Sequence, residues 1–252
     1  MTTGKLQVIE PLAYTATSSS GSDTGTANLS SADPKEIFQA ASTAARNIML
    51  DFGAPVTLDS IFVGYNNGAG AETVFPYYDP GSGLIPAVTS AVQLRPSDCK
   101  TTRANTLIQF TPQTARNWLL AFSAKSSALQ VGAIVAGRAF EAEWDREWGS
   151  GRKPIDMSVV TQLQGGGFGV QPGAKKASYT WTFGDLTDAE TEQLWGIAIR
   201  LGNGSPVVMA ERSKTTTGAS EAVHYGLFQR LDQFERREPG ATKWAMTVEE
   251  WV

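Results

Sequence analysis

Apolar and polar residues alternate along several short stretches of this chain, as in β-strands that bury one face. The clearest examples lie at residues 46–53 and 56–67, and the pattern predicts two strands there, joined by a short turn at 53–55. Another pair of strands is predicted on the two sides of Pro112. The alternating apolar positions of the first pair are Ile48, Leu50, Phe52, Ile61, Val63 and Tyr65.

The second half of the chain contains one stretch with clear helical spacing. Its apolar positions recur every three or four residues, which predicts an amphipathic helix over 188–201. Thr187 and Glu190 have the spacing of a capping box at its start, and Gly202 is expected to end it. Strands are predicted before the helix and at the C-terminus. Their alternating residues are Tyr179, Trp181 and Phe183 in one, and Trp244, Met246 and Val248 in the other.

Turn residues interrupt the chain throughout, with 25 glycines and 12 prolines among 252 residues, which is typical of all-β proteins. Residues 35–46 also carry apolar residues at helical spacing and predict either a short helix or a loop with one turn. We therefore expect a mainly β fold. A β-sandwich domain is predicted over 1–139, followed by a β-rich domain with one capped α-helix over 140–252, and a sheet that continues across the boundary is the open alternative.

The charge balance argues against a nucleic-acid partner. Lys and Arg total 21 and Asp and Glu total 25, which gives a net charge of −4, whereas phosphate binding requires a basic surface. No stretch approaches the ~18 apolar residues of a membrane span, and the first twenty residues do not resemble a signal peptide. The single cysteine, Cys99, cannot form an intrachain disulfide. We expect no nucleic-acid and no membrane partner, and synthesis in a reducing cytoplasm.

The chain lacks the residue patterns of common enzyme sites. His224 is its only histidine, so the ligands of a zinc site are missing, and no G-x-S-x-G turn presents a serine for a catalytic triad. The acids Glu141, Glu143 and Asp145 have a spacing compatible with a glycosidase pair, although alternating acids are more typical of a solvent-facing strand. We predict no catalytic residue, no metal and no cofactor. Glycoside hydrolysis through Glu143 is the weakest alternative.

Two kinds of segment are candidates for binding. The glycine-rich segment 164–174 matches no nucleotide-binding motif, and it is expected to be an arm or turn that packs on a neighbouring subunit. Trp148, beside a glycine-rich break, is expected to be exposed and to favour an interface. The aromatic loop at 75–83 is either a sugar-binding loop or an ordinary Pro/Gly-rich loop. Candidate intersubunit contacts are Gly165, Gly166, Gly167, Phe168 and Trp148, and candidate glycan contacts are Tyr77, Tyr78 and Asp79.

Two parts of the chain resemble known families. Residues 45–140, in which Asp51-Phe52-Gly53 precedes a β-rich run that ends in Gly64-Tyr65-Asn66-Asn67, resemble galactose-binding-like β-sandwiches of the jelly-roll type. The order of elements in the second half resembles minor structural proteins of tailed-bacteriophage tails. The stretches that give this second resemblance are 178–183, 184–187 leading into the helix, 202–209, 225–228 and 247–251.

The resemblance to tail proteins implies a non-enzymatic virion protein, assembled in the cytoplasm of the host bacterium. Such a protein forms a ring of six-fold or three-fold symmetry at the distal tail or baseplate and links the tail tube to the tip, with tube and tip or hub proteins as partners. Ring closure needs two different complementary faces, which we expect to include the glycine-rich arm and the N-terminal segment. The alternative is a carbohydrate-binding module for a host-surface glycan, and the two functions do not exclude each other.

Overall fold

A computed structural model describes residues 5–97, 99–211 and 221–252. The first eleven strands are β1 (Gln7–Ile9), β2 (Thr15–Ser18), β3 (Phe38–Gln39), β4 (Arg46–Asn66), β5 (Thr73–Asp79), β6 (Ile85–Pro86), β7 (Val92–Gln93), β8 (Ala104–Phe122), β9 (Gln130–Val131), β10 (Ala133–Gly137) and β11 (Ala139–Glu141). The later elements are β12 (Gly151–Asp156), β13 (Val159–Gln162), β14 (Phe168–Gln171), β15 (Lys175–Leu186), helix α1 (Asp188–Leu201), β16 (Pro206–Ala210), β17 (Val223–Leu231), β18 (Glu235–Glu238) and β19 (Ala241–Glu250).

The predicted mainly β fold with a single α-helix is confirmed for the described residues. A short 3-10 helix at Thr26–Ser30 adds one further turn. None of the helices in these ranges combines the length and the apolar character that crossing a membrane requires. Residues 35–46, for which a helix and a loop were both open, form a loop and the short strand β3, which pairs with β9 and buries Phe38.

The chain forms two compact units. Unit 1 contains residues 1–142 and 206–225, and unit 2 contains 143–205 and 226–252. These units are not consecutive blocks of the chain, because β16 belongs to unit 1. There it lies antiparallel to β1, with Met209 opposite Val8. The domains 1–139 and 140–252 stay a prediction. Residues 1–4 of the N-terminal segment lie outside the described residues.

The two longest strands of unit 1, β4 and β8, pair from Arg46 opposite Phe122 to Asn66 opposite Ala104. The predicted break at 53–55 is therefore wrong, and so is the predicted pair of strands around Pro112. Each is one long strand that contains a bulge.

The bulges explain why turn residues occur inside these strands. The register between β4 and β8 shifts between Asp51 and Val56, and again between Leu58 and Ser60. The first shift places 52–55 in an irregular segment of β4. The second places Pro112 in an irregular segment of β8, where a proline costs no ladder hydrogen bond.

Unit 1 is a β-sandwich in which part of β4 is buried on both faces. Residues 58–64 are buried without interruption. Ile61 and Val63 join the main apolar cluster on one side. Phe62 points to the other side and stacks on Tyr225 of β17, with ring centroids 5.7 Å apart. The strands β11, β1, β16 and the start of β17 belong to the sheet on that second side.

Unit 2 is centred on the pairing of β15 with β19, where Trp181 lies opposite Met246. The predicted apolar faces of both strands are buried. Helix α1 has the predicted bounds, and its capping box is confirmed. The Thr187 hydroxyl accepts from the Glu190 amide, and the Glu190 carboxylate accepts from the Thr187 amide at 2.8 Å. These two contacts satisfy two amides that a helix start would otherwise leave without a partner.

A buried ion pair joins the start of β5 to the residues after β8. Lys125 donates to Glu72, whose carboxylate also accepts from the backbone amides of Ala69 and Ser126, at 2.8 Å each. Burial by itself would raise the pKa of Glu72, but the hydrogen bonds outweigh it and lower the pKa to about 2. The pair is therefore ionised at neutral pH, beside the end of the β5–β8 ladder.

Replacing Lys125 by Met is expected to destabilise the protein by about 3 kcal/mol at pH 7, because the Glu72 carboxylate is left buried without its cation. A group whose pKa is lowered by folding stabilises the native state above its ordinary pKa, and that contribution is lost as the pH falls through the folded pKa. The difference between wild type and variant is therefore expected to shrink from pH 4.5 toward about 2. Urea unfolding across this pH range measures it.

Lys35→Met is the matched control, since Lys35 is an exposed lysine of the same unit. It is expected to change the free energy of unfolding by less than about 0.5 kcal/mol at every pH. If Lys125→Met costs no more than this control, the ion pair does not stabilise the fold.

Candidate functional site

An apolar row crosses the unit 1 sheet on the face that points away from the main apolar cluster. Met49 of β4 lies opposite Leu119 of β8, and Leu119 lies opposite Tyr77 of β5. Directly opposite residues point to the same side of a sheet. Phe75 adds a second ring to this row, with its centroid 4.9 Å from that of Tyr77. We call Met49, Leu119, Ala121, Phe75 and Tyr77 the outer face.

Polar groups border the outer face along the next row of residues. Asn117 lies opposite Asp51 on one side and opposite Asp79 on the other. Arg116 donates two hydrogen bonds to Asp51, at 2.7 and 2.8 Å. These bonds lower the pKa of Asp51 to about 2, so the pair is charged at neutral pH. Half-buried aromatic rings beside amide and ionic groups suit a ligand with an apolar side and several hydroxyls.

The three predicted glycan contacts differ in their surroundings. Only Tyr77 lies on the outer face. Tyr78 points to the opposite side and packs on Trp118, with ring centroids 5.6 Å apart. The Asp79 carboxylate accepts from the amides of Gly81 and Gly83, at 2.8 and 3.2 Å, and so shapes the following loop. Whether any of them contacts a glycan stays a prediction.

Phe75 was not among the predicted glycan contacts. It precedes Tyr77 by two residues, so strand alternation alone places both on one face. What the sequence could not decide was whether that face is buried. The exposed large apolar side chains closest to it in sequence are Leu84 and Ile85, in and beside β6.

Two of the side chains considered for catalysis, Glu141 and His224, contact other side chains of the fold. Glu141 accepts a hydrogen bond from Gln7 at 2.7 Å, and the strand ends there, so the predicted alternation through Asp145 does not form. His224 is buried, and its Nε2 lies 3.1 Å from Glu211. Across the ranges that the structure describes, no group of three or more His, Cys, Asp or Glu residues could hold a metal ion.

The glycine-rich segment of unit 2 is a hairpin, formed by β13 and β14. We call residues 157–174 the arm, since it extends the hairpin formed by β12 and β15. Its turn is closed by the Gly166 amide, which donates to the Leu163 carbonyl at 3.0 Å, and Gly166 has a φ of +82°. Gly173 is needed at the base, because a Cβ there would lie 2.3 Å from the Met157 backbone.

Both faces of the arm expose apolar side chains. Val160 lies opposite Val170, and Phe168 lies opposite Gln162, so these four residues share one face. The exposed fractions of Val160, Val170 and Phe168 are 60%, 61% and 67%. The sequence contains no Asp, Glu, Lys or Arg from residue 157 to 174.

The glycines and the tryptophan that were predicted to contact a subunit are exposed in the structure. No neighbouring atom lies within 4 Å of a Cβ built on Gly165 or Gly166, and beside Gly167 only Leu163 comes that close, at 4.0 Å. Trp148 is fully exposed. These surroundings leave room for a partner, and the contacts themselves stay predictions.

No protein-family model matches the chain, and no curated protein matches it by sequence. Its fold is similar to chitosan-binding module 1 of a chitosanase/glucanase from Paenibacillus sp. IK-5, with 15% identity and a TM-score of 0.39 over 50% of this chain and 96% of that one. It is also similar to a pectin-binding carbohydrate-binding module, with 16% identity and a TM-score of 0.38 over 51% of this chain and 91% of that one. A third similar structure is CpGH89CBM32-5 of Clostridium perfringens in complex with GalNAc-β-1,3-galactose, with 11% identity and a TM-score of 0.40 over 49% of this chain and 94% of that one.

The opposite orientations of Tyr77 and Tyr78 predict different effects on stability. Tyr78→Ala removes a ring that packs against Trp118 at the core, and it is expected to lower the free energy of unfolding by about 2 kcal/mol. Tyr77→Ala removes a ring from the outer face and is expected to cost less than about 1 kcal/mol. Denaturant unfolding followed by tryptophan fluorescence compares the two. Equal losses would show that both rings belong to the core.

Proposed function

We propose that this protein is a non-enzymatic assembly protein that binds other protein subunits through unit 2. The observation that supports this most directly is the distribution of exposed apolar groups. Of twelve large apolar side chains that are exposed in the described residues, ten belong to unit 2. Soluble monomers expose single apolar residues commonly but rarely concentrate them in this way. Tryptophan is also favoured at protein interfaces.

In its specific form, the proposal makes the protein a component of the distal tail or baseplate of a tailed bacteriophage. It would form a ring that links the tail tube to the tail tip, with tube and tip or hub proteins as partners and the virion tail as its location. Two features support this form: the order of elements in the second half resembles minor tail proteins, and unit 2 exposes apolar groups on both the arm and helix α1. A ring needs two such different surfaces.

A second candidate function is carbohydrate binding by unit 1. It is favoured by the outer face, where Tyr77 and Phe75 form a half-buried aromatic pair beside Asn117. The rings can pack on the apolar side of a sugar while amide and carboxylate groups bind its hydroxyls. The ligands named for the similar structures belong to those proteins, and this proposal depends on the geometry of the face. An assembly protein can bind a host-surface glycan as well.

The assembly function predicts that the purified protein forms oligomers whose mass rises with concentration. The double variant Val160→Asp, Val170→Asp places two charges on the arm and is expected to shift the protein to a monomer, because burying an unpaired carboxylate is unfavourable. Light scattering over a range of concentrations measures both. The double variant Leu84→Asp, Ile85→Asp places two charges on exposed apolar positions of unit 1; it is the control and is expected to keep the wild-type mass. A wild type that stays monomeric and never copurifies with particles would contradict the proposal.

The carbohydrate function predicts a glycan ligand that depends on Tyr77. A glycan array identifies the ligand, and calorimetric titration then compares variants. Tyr77→Ala is expected to weaken binding by about tenfold, equivalent to about 1.4 kcal/mol, because the stacking ring is lost. Tyr78→Phe keeps the packing on Trp118 and should bind like the wild type. Absence of binding to every glycan tested would remove this candidate.

A further inference from the structure

We propose that the arm of one copy docks on helix α1 of a second copy. This inference rests on the assembly function proposed above and names its two surfaces. Four exposed residues line one side of α1 at intervals of four, three and four positions, which places them in one stripe. The stripe is acidic at the helix start and apolar toward its end. Its members, the helix stripe, are Asp188, Glu192, Trp195 and Ile199.

The apolar part of the helix stripe is only partly covered by the described residues of its own unit. The exposed fractions of Trp195 and Ile199 are 50% and 64%. One edge of Trp195 rests on Phe234, with ring centroids 5.6 Å apart and planes at 78°. That contact supports the indole on one side, while half of its surface faces solvent. Tryptophan side chains commonly anchor protein interfaces.

Like the helix stripe, the arm with its base has a charged end and an apolar end, but its charge is positive where that of the stripe is negative. Its outer part is uncharged and exposes Val160, Phe168 and Val170 on one face. Its base carries the exposed Lys153 on β12 and the exposed Lys175 just after the arm; Asp156 pairs with Lys175 at 3.7 Å, which leaves these three residues with a net positive charge. If the apolar part lies on Trp195 and Ile199, the cationic base comes to the acidic start of the helix.

The dimensions of the two surfaces agree. Eleven residues separate Asp188 from Ile199, which is about 16 Å along a helix. Val170 lies in β14 and Lys175 begins β15 five positions later, a span of at most about 17 Å of extended chain. The two charged ends and the two apolar ends can therefore meet at the same time. Asp188 pairs with Arg236 at 3.5 Å, and both side chains are exposed, so a second cation can approach the carboxylate.

Docking on helix α1 of a second copy explains the exposed arm better than pairing with the arm of a second copy. An isolated two-stranded hairpin is at best marginally stable in water, and charged residues normally protect exposed strand edges from pairing. The arm has no such protection, so we infer that it is covered in the assembled state. Arm-to-arm pairing would cover the valines but would leave Trp195 and Ile199 exposed. Arm-to-helix docking covers both sets and leads directly to a heterologous interface.

The test uses one variant for each surface of the full chain. Phe168→Asp disables the arm, and Ile199→Asp disables the helix stripe. In the proposed arrangement each variant alone is monomeric, because every contact between identical copies then includes one disabled surface. A 1:1 mixture restores a single good contact, between the intact arm of Ile199→Asp and the intact helix of Phe168→Asp. We expect a heterodimer of twice the monomer mass and nothing larger, measured by light scattering.

The outcomes separate this inference from the function on which it rests. A wild type that oligomerises, together with variants that fail to pair when mixed, would overturn arm-to-helix docking while the assembly function stands. Variants that still form wild-type oligomers would also overturn it. A wild type that is monomeric at all concentrations would overturn arm-to-helix docking, and the assembly function falls with it only if the protein also never copurifies with particles. Circular dichroism confirms that each variant is folded, and Phe168→Ala with Ile199→Ala replaces the pair if either aspartate variant is not.

Discussion

The antiparallel pairing of β4 with β8 is the contact on which unit 1 depends. It joins residues that are far apart in the chain, since Arg46 pairs with Phe122. Closing so long a loop costs conformational entropy, and the contacts around this pair have to offset that cost. Because side chains alternate, the register of this pair decides which residues enter the core. A shift by one position would exchange Ile48 and Leu50 for Met49 on the core side. The bulges keep that register while turn residues pass through the strands.

The same pairing creates the outer face. Over 58–64, β4 is covered on both sides, and every side chain there is used for packing. Toward 46–52 one side is no longer fully covered, and β5 continues the half-buried row through Tyr77. The ion pair of Glu72 with Lys125 fixes β5 at the end of its ladder with β8. The position of the aromatic pair is therefore a consequence of core packing several residues away, which gives it the rigidity that a binding surface requires.

Local patterns predicted more than non-local ones did. The capping box, the helix bounds and the buried aromatic strand of unit 2 depend on residues a few positions apart, and all three were predictable. The continuity of β4 through 53–55 was not, because glycine and proline are typical of turns and of bulges alike. The return of β16 to unit 1 depends on a pairing with β1 about two hundred residues away, which leaves no local trace. Tyr77 and Tyr78 are adjacent residues of the same type, so only the strand register decides which of them faces the core and which lies on the outer face.

The exposed apolar surface of unit 2 is informative because a few charged residues would be enough to make the same surface favour solvent. A single lysine on the arm would protect its edges at little cost to stability, yet residues 157–174 contain no charge. Charged residues are present directly before and after this segment, so the composition of the chain as a whole does not explain their absence. Gly166 and Gly173 meanwhile have backbone geometries that shape a specific hairpin rather than a random loop. A hairpin with a defined shape and no charge is what a surface needs when it is to be buried against another apolar surface.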